Sequence, residues 1–163
     1  MLKASVLLGL VLIAVGFFAC EKDVPYDGPK QMEIDAAIID KYLVDSNVRA
    51  DKHSTGLYYN IIREGSGNPV ALDDTVYGNY TLKILKDSVL LAKTVDSTFM
   101  FIPRGYMKGW NTGVSLIKPG GAIRMIIPSP LAYEQRVVES PKIPANSILD
   151  ITLEIVSVNK KPK

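Results

Sequence analysis

The sequence predicts the α+β class: an antiparallel sheet wrapped over one short helix and preceded by an amphipathic helix. Three observations carry this. Apolar and polar residues alternate with period two in "GLYYNIIREG", "DTVYGNYTLKIL", "TFMFI", "AIRMII" and "SILDITLEIVSV", as strands with one buried face require. Turn-forming residues separate these runs at 65–68, 86–88, 103–105 and 119–121, and the intervals are too short for the crossovers that parallel strands need. Two other segments carry apolar residues at spacings of three and four, the period of a helix.

In the first of them Ile34, Ile38, Ile39, Tyr42 and Leu43 form a stripe, with Glu33, Asp35, Asp40 and Lys41 between them. This predicts a helix over residues 30–45 whose stripe packs on the domain, although a dimer contact through the same helix would read identically. In the second, Met107, Trp110, Val114 and Ile117 place a short helix within residues 106–117.

Before the first helix the chain is organised for export. Lys3 is followed by an uncharged stretch from Ala4 to Ala19, and the small Ala19 directly precedes Cys20. That layout predicts a signal peptide over residues 1–19. A membrane-spanning helix would need about 20 apolar residues with suitable flanks, whereas this run ends at Cys20 and meets Glu21, Lys22 and Asp23 at once. Cys20 is the only cysteine, so no internal disulfide is available and the domain must rest on its core. The residues "FFAC" resemble a bacterial lipobox with bulkier residues than usual at Phe17 and Phe18, which makes Cys20 the expected lipidation site. "CEKDVPYDGP", residues 20–29, then reads as a tether, residues 30–55 as helix and link, and residues 56–160 as one domain. The expected location is the cell envelope, with the chain lipid-anchored to a bacterial membrane and facing the periplasm or the exterior.

Charge and composition exclude several functions. The formal net charge is +2, and the basic tail "NKKPK" reads as a solvated end, so no nucleic-acid partner is implied. The only histidine, His53, lies in the polar link "RADKHSTG", which leaves no base for a hydrolase and no cluster for zinc. "GSGN" at residues 65–68 lacks the lysine of a phosphate loop and reads as a hairpin turn.

From Thr75 onward, "VYGNYTLKI", "GWNTGVSLIKPGGAIRMIIPSPLAY" and "IPANSILDITLEI" stand in an order and spacing that resembles the FKBP-type peptidyl-prolyl isomerases, over roughly residues 56–158. The most specific part is the Gly109-Trp110 pair with Gly113, Gly120, Pro128 and Ala132-Tyr133; Ile143, Pro144 and Glu154 add to it. The resemblance implies an FKBP-like fold and a proline-binding cleft. It places Tyr80, Trp110 and Tyr133 in the catalytic roles, with Trp110 as floor and the Tyr133 hydroxyl on a substrate carbonyl. It puts Phe99, Phe101, Tyr106, Met107, Ile143 and Ile151 around them. Active members of the family usually carry a Phe-Asp pair after the first core strand. Counting through the turn brings that pair onto Leu91 and Ala92, while a second alignment brings it onto Val95 and Asp96. Glu134 stands where a glycine usually follows the tyrosine.

Rotation about a prolyl bond breaks no bond, so the implied chemistry needs no cofactor and no metal. The implied partners are proline-containing peptides or exported proteins. Two function classes follow: an isomerase that assists folding of exported proteins at the membrane surface, and a catalytically weakened lipoprotein that keeps the cleft to bind a peptide or partner protein.

Overall fold

The computed structural model describes residues 25–87, 89–94, 96 and 99–161. The expected signal peptide and Cys20 therefore lie outside the described residues, as do Ser88, Val95, Ser97 and Thr98. Helix α1 runs Gly28–Asp45, two residues ahead of the expected start, because Asp27 caps it: the Lys30 N–H donates to its carboxylate at 3.0 Å. Strands follow at β1 Asp51–Lys52, β2 Tyr58–Arg63, β3 Thr75–Ile84, β4 Ala92–Lys93 and β5 Phe99–Phe101. Helix α2, Lys108–Ser115, precedes β6 Ala122–Ile127 and β7 Leu149–Asn159. The chain is α+β, as its periodicities predict.

Every pairing among the described strands is antiparallel, in the order β1-β2-β6-β7-β3-β4. β3 has β7 along one side, while β5 at Val76–Gly78 and β4 at Thr81–Leu82 share its other side. This order corrects one expectation. Residues 65–68 are not a hairpin turn, because β2 pairs with β6 while β3 pairs with β7, so the segment carries the chain across the sheet.

Both faces of the sheet are covered. On one, Ile123, Met125 and Ile127 of β6 and Leu149, Ile151, Leu153 and Ile155 of β7 pack with Trp110, Val114 and Ile117 into the main core. α2 reaches this face closely because it carries glycine where it crosses β6: a Cβ on Gly109 would run into Ile127, and one on Gly113 into Met125. On the other face, Ile126, Tyr58, Leu85 and Ile148 receive Ile39, Tyr42 and Leu43 of α1. Arg124 and Asp150 share this face as a two-bonded ion pair at 2.9 and 2.8 Å, to which Tyr42 adds its hydroxyl at 3.0 Å.

The packed stripe of α1 differs from the expected one. Ile34 and Ile38 are exposed, while Asp35, expected among the solvated positions, is 1% exposed. The helix is turned because the Asp35 carboxylate accepts hydrogen bonds from both the N–H and the hydroxyl of Ser129, at 2.7 and 2.6 Å. Two such bonds to the carboxylate offset the cost of burying it.

Candidate active site

The site begins in β3, where period two sends Tyr80 and Leu82 to the same face. β5 sets Phe99 opposite Gly78, and its ring lies 4.5 Å from that of Tyr80. A 3₁₀ turn at Pro103–Gly105 then delivers Tyr106 and Met107 to the start of α2, whose first turn carries Trp110 inward. At 3% exposure, Trp110 is buried beneath these rings. Tyr106 stacks on it at 5.4 Å and 26°, and Tyr80, Phe99 and Phe101 meet it edge-on at 5.3–6.1 Å. Its indole N–H is buried without a hydrogen-bond partner among the described residues.

Above Trp110 lies a recess of about 150 Å³. Tyr80, Phe99, Tyr106, Met107, Trp110 and Tyr133 line it, together with Ile151, Ala92, Leu82 and Pro141. Of the described residues that the resemblance implies, eight are therefore in the lining. Four are not. Phe101 sits behind Phe99 and Trp110 at 3% exposure. Ile143 is fully buried and pairs with Val138, so it anchors the loop between them rather than forming a wall. The Leu91 N–H donates to Leu82, and its side chain packs against the main core. Asp96 is exposed and outside the lining. Leu82 and Pro141 complete the lining. Period two from Tyr80 points to Leu82, whereas nothing in the charged run around Pro141 signals a recess.

β4 bears on the two alignments. Ala92 stands opposite Leu82, and Thr94 brackets Tyr80, donating its N–H to the Tyr80 carbonyl at 2.9 Å and accepting the Tyr80 N–H on its hydroxyl at 3.1 Å. Ala92 is thereby held at the recess, and a methyl group occupies that part of the wall.

Tyr133 enters from a 3₁₀ turn, Ser129–Leu131, on the loop after β6. Glu134 behind it is held at φ +58°, the left-handed region that favours glycine, by its N–H to the Ser129 carbonyl at 2.8 Å. Burial pushes the Tyr106 and Tyr133 hydroxyls above their ordinary pKa, and the neighbouring Tyr80 hydroxyl adds to both shifts. These phenols therefore remain hydrogen-bond donors at neutral pH. The recess combines apolar walls, a flat aromatic floor and neutral donors at its edge.

Elsewhere, a broader hollow of about 650 Å³ lies beside the end of α1, lined by Val44, Arg49, Asp51 and Asn60 among others. It offers no convergent aromatic surface. His53 accepts from the Thr55 N–H at 3.2 Å within its own turn. No group of three or more His, Cys, Asp or Glu side chains among the described residues is placed to hold a metal ion, and no described helix is long and apolar enough to cross a membrane.

A sheet wrapped over one helix with an aromatic recess at the helix start is the arrangement of the FKBP-type peptidyl-prolyl cis-trans isomerases. The model of that family matches residues 67–156, and the chain belongs to it. Among individual proteins, it is 33% identical over 130 residues to the FKBP-type peptidyl-prolyl cis-trans isomerase FkpA of Escherichia coli, covering 76% of this chain and 45% of that protein. It is also 33% identical over 116 residues to a probable FKBP-type isomerase of Haemophilus influenzae, covering 66% of this chain and 44% of the relative. The chain thus spans about half the length of these curated relatives. The crystal structure of Escherichia coli FkpA superposes with a TM-score of 0.65 at 28% identity, over 83% of this chain and 64% of that one. An isomerase structure from Pseudomonas syringae, at 16% identity and TM-score 0.65 over 79% of this chain and 96% of its own, shares the fold.

Proposed function

We propose that the chain is a peptidyl-prolyl cis-trans isomerase that assists folding of exported proteins, held at a membrane surface by lipid on Cys20. The observation that carries the catalytic part is the apolar recess over Trp110, edged by three tyrosines, in a chain of this family. Amide resonance sets a barrier of about 18–20 kcal/mol to rotation about the prolyl bond. As the bond twists, resonance is lost and the carbonyl oxygen gives up part of its negative charge, so the twisted amide is less dipolar than the planar one. A recess walled by Phe99, Met107, Leu82 and Ile151 therefore favours the twisted form over the planar one, which is differential binding of the transition state. Each 1.4 kcal/mol of that difference is worth about tenfold in rate.

In this reading the proline ring rests on Trp110, and the Tyr133 hydroxyl donates to a carbonyl of the peptide and fixes its direction. Tyr80 packs edge-on against Trp110 and keeps the floor in place. Nothing in the step requires proton transfer. Catalysis of cis-trans exchange in a short proline peptide, followed by NMR exchange spectroscopy, tests it.

A second reading, a peptide-binding lipoprotein with weakened catalysis, draws on Ala92. If the family's carboxylate position falls there, the wall lacks the polar group that orients the cleft, while the apolar floor survives. The lipid anchor, the division of the chain after residue 19 and the envelope location are read from the leader pattern, whereas the divisions at residues 29 and 55 are read from the proline- and glycine-interrupted tether and from the helix and polar link that follow it. Fatty-acid labelling of the expressed protein, lost on Cys20→Ala, tests the anchor and the cleavage that precedes it. Ile34 and Ile38, exposed one turn apart on α1, support a contact between two copies, which sedimentation equilibrium would register as a dimer.

A further inference from the structure

We propose that Asp35, on the helix that precedes the residues matched by the family, is a positioning residue for Tyr133. The inference rests on the isomerase reading for its catalytic consequence, though not for its structural one. Ser129 is the link. It is fully buried, and its N–H and hydroxyl both donate to the Asp35 carboxylate, at 2.7 and 2.6 Å. Its carbonyl in turn accepts the N–H of Ala132 at 2.9 Å and that of Glu134 at 2.8 Å. Those are the two residues flanking Tyr133, so both ends of the Tyr133 segment hang from one residue that α1 holds by two charge-assisted bonds. Gln31, one turn earlier, donates to the second Asp35 oxygen at 2.8 Å and fixes the carboxylate.

This chain of bonds runs from a helix outside the matched residues to the edge of the recess. Ala132 takes φ −113° and ψ −112°, and Glu134 takes φ +58°. Two departures from the favoured backbone regions, one on each side of Tyr133, persist only where the surroundings over-determine them. Removing Asp35 leaves the Ser129 N–H and hydroxyl buried without their acceptor, and the turn that aims Tyr133 loses its anchor. α1 is then part of the site's support and not only a cover for the sheet.

The test uses the full chain in mild detergent, as wild type, Asp35→Ala, Asp35→Asn and Tyr133→Phe, with the double variant Asp35→Ala/Tyr133→Phe. Asp35→Ala is expected to lower kcat/KM about tenfold, as misplacement of a positioning group does. Asp35→Asn, which keeps an acceptor oxygen toward Ser129, should stay within about twofold of wild type by the same reasoning. In the Tyr133→Phe background, Asp35→Ala should cost little, because the group it positions is already gone. A loss of the same size in both backgrounds, or a fall in Tm with kcat/KM intact, would assign Asp35 to stability alone and overturn the proposal. The Tyr133 ring signals and the amide exchange of Ala132 and Glu134 give a readout independent of turnover. They should change in Asp35→Ala and return in Asp35→Asn; unchanged signals would reject the positioning role. If the wild type does not isomerise while these signals do respond, the functional reading fails and the positioning stands.

Discussion

Tyr80 meets Trp110 edge to face, with 5.8 Å between ring centroids and 83° between planes. Phe99 and Phe101 approach the same indole at 84° and 80°, so the ring is held by several quadrupole-favoured contacts where it lines the recess. Trp110→Ala should therefore remove proline-peptide binding and also cost about 3–5 kcal/mol of stability. Calorimetric titration of the folded fraction separates the two effects. An unchanged affinity would remove Trp110 from the site.

Ala92 faces the recess from β4, opposite Leu82. Ala92→Asp should raise kcat/KM several-fold by restoring a polar contact at the wall, measured on a short proline peptide. No gain, combined with a loss on Asp96→Ala, would assign the family's carboxylate to Asp96.

Glu134 occupies the left-handed region at φ +58°. A non-glycine residue there is strained by about 1–2 kcal/mol, while glycine adds about 0.5–1 kcal/mol of entropy to the unfolded chain. Glu134→Gly should raise stability by up to about 1 kcal/mol, read from denaturant midpoints. A clear loss would mean that the Glu134 side chain contributes more than its backbone strain costs.

The pH dependence follows from two sets of groups. Glu154 is held below its ordinary pKa by the Arg63 guanidinium, with the Asn79 amide adding to it. A lowered carboxylate contributes stability that is present above its unfolded pKa and lost as pH falls through the folded one, so thermal stability should decline in acid below about pH 4.5. Burial raises Tyr106 and Tyr133, so their contribution is present below their unfolded pKa near 10 and disappears as pH rises beyond it. Between about pH 6 and 9 none of these groups titrates, and kcat/KM should be flat. A bell-shaped profile in that range would point to proton transfer, which a simple bond rotation does not need.

Much of the fold is legible in the sequence because five strands are long enough to display period two. The two-residue strands β1 and β4 are not, since two residues carry no periodicity. The helix α1 is legible but the face it buries is not: a carboxylate among isoleucines reads as solvated until Ser129, 94 positions away, supplies its donors. The order of strands is equally non-local, which is why residues 65–68 read as a hairpin. Within the recess, Tyr80, Trp110 and Tyr133 come from a family resemblance, and period two adds Leu82. Ile143 and Phe101 lie one layer behind, a distinction that spacing cannot draw. The glycine usually found after the tyrosine is a local signal with a physical meaning here, because the Glu134 that replaces it still adopts the glycine-like conformation.

The most direct test of the central claim is cis-trans exchange of a short peptide by the purified chain, over a panel of residues preceding proline. Acceleration above the uncatalysed rate is expected, and Trp110→Ala should abolish it. A folded chain that leaves every exchange rate unchanged would contradict that claim and leave the recess as a binding site alone.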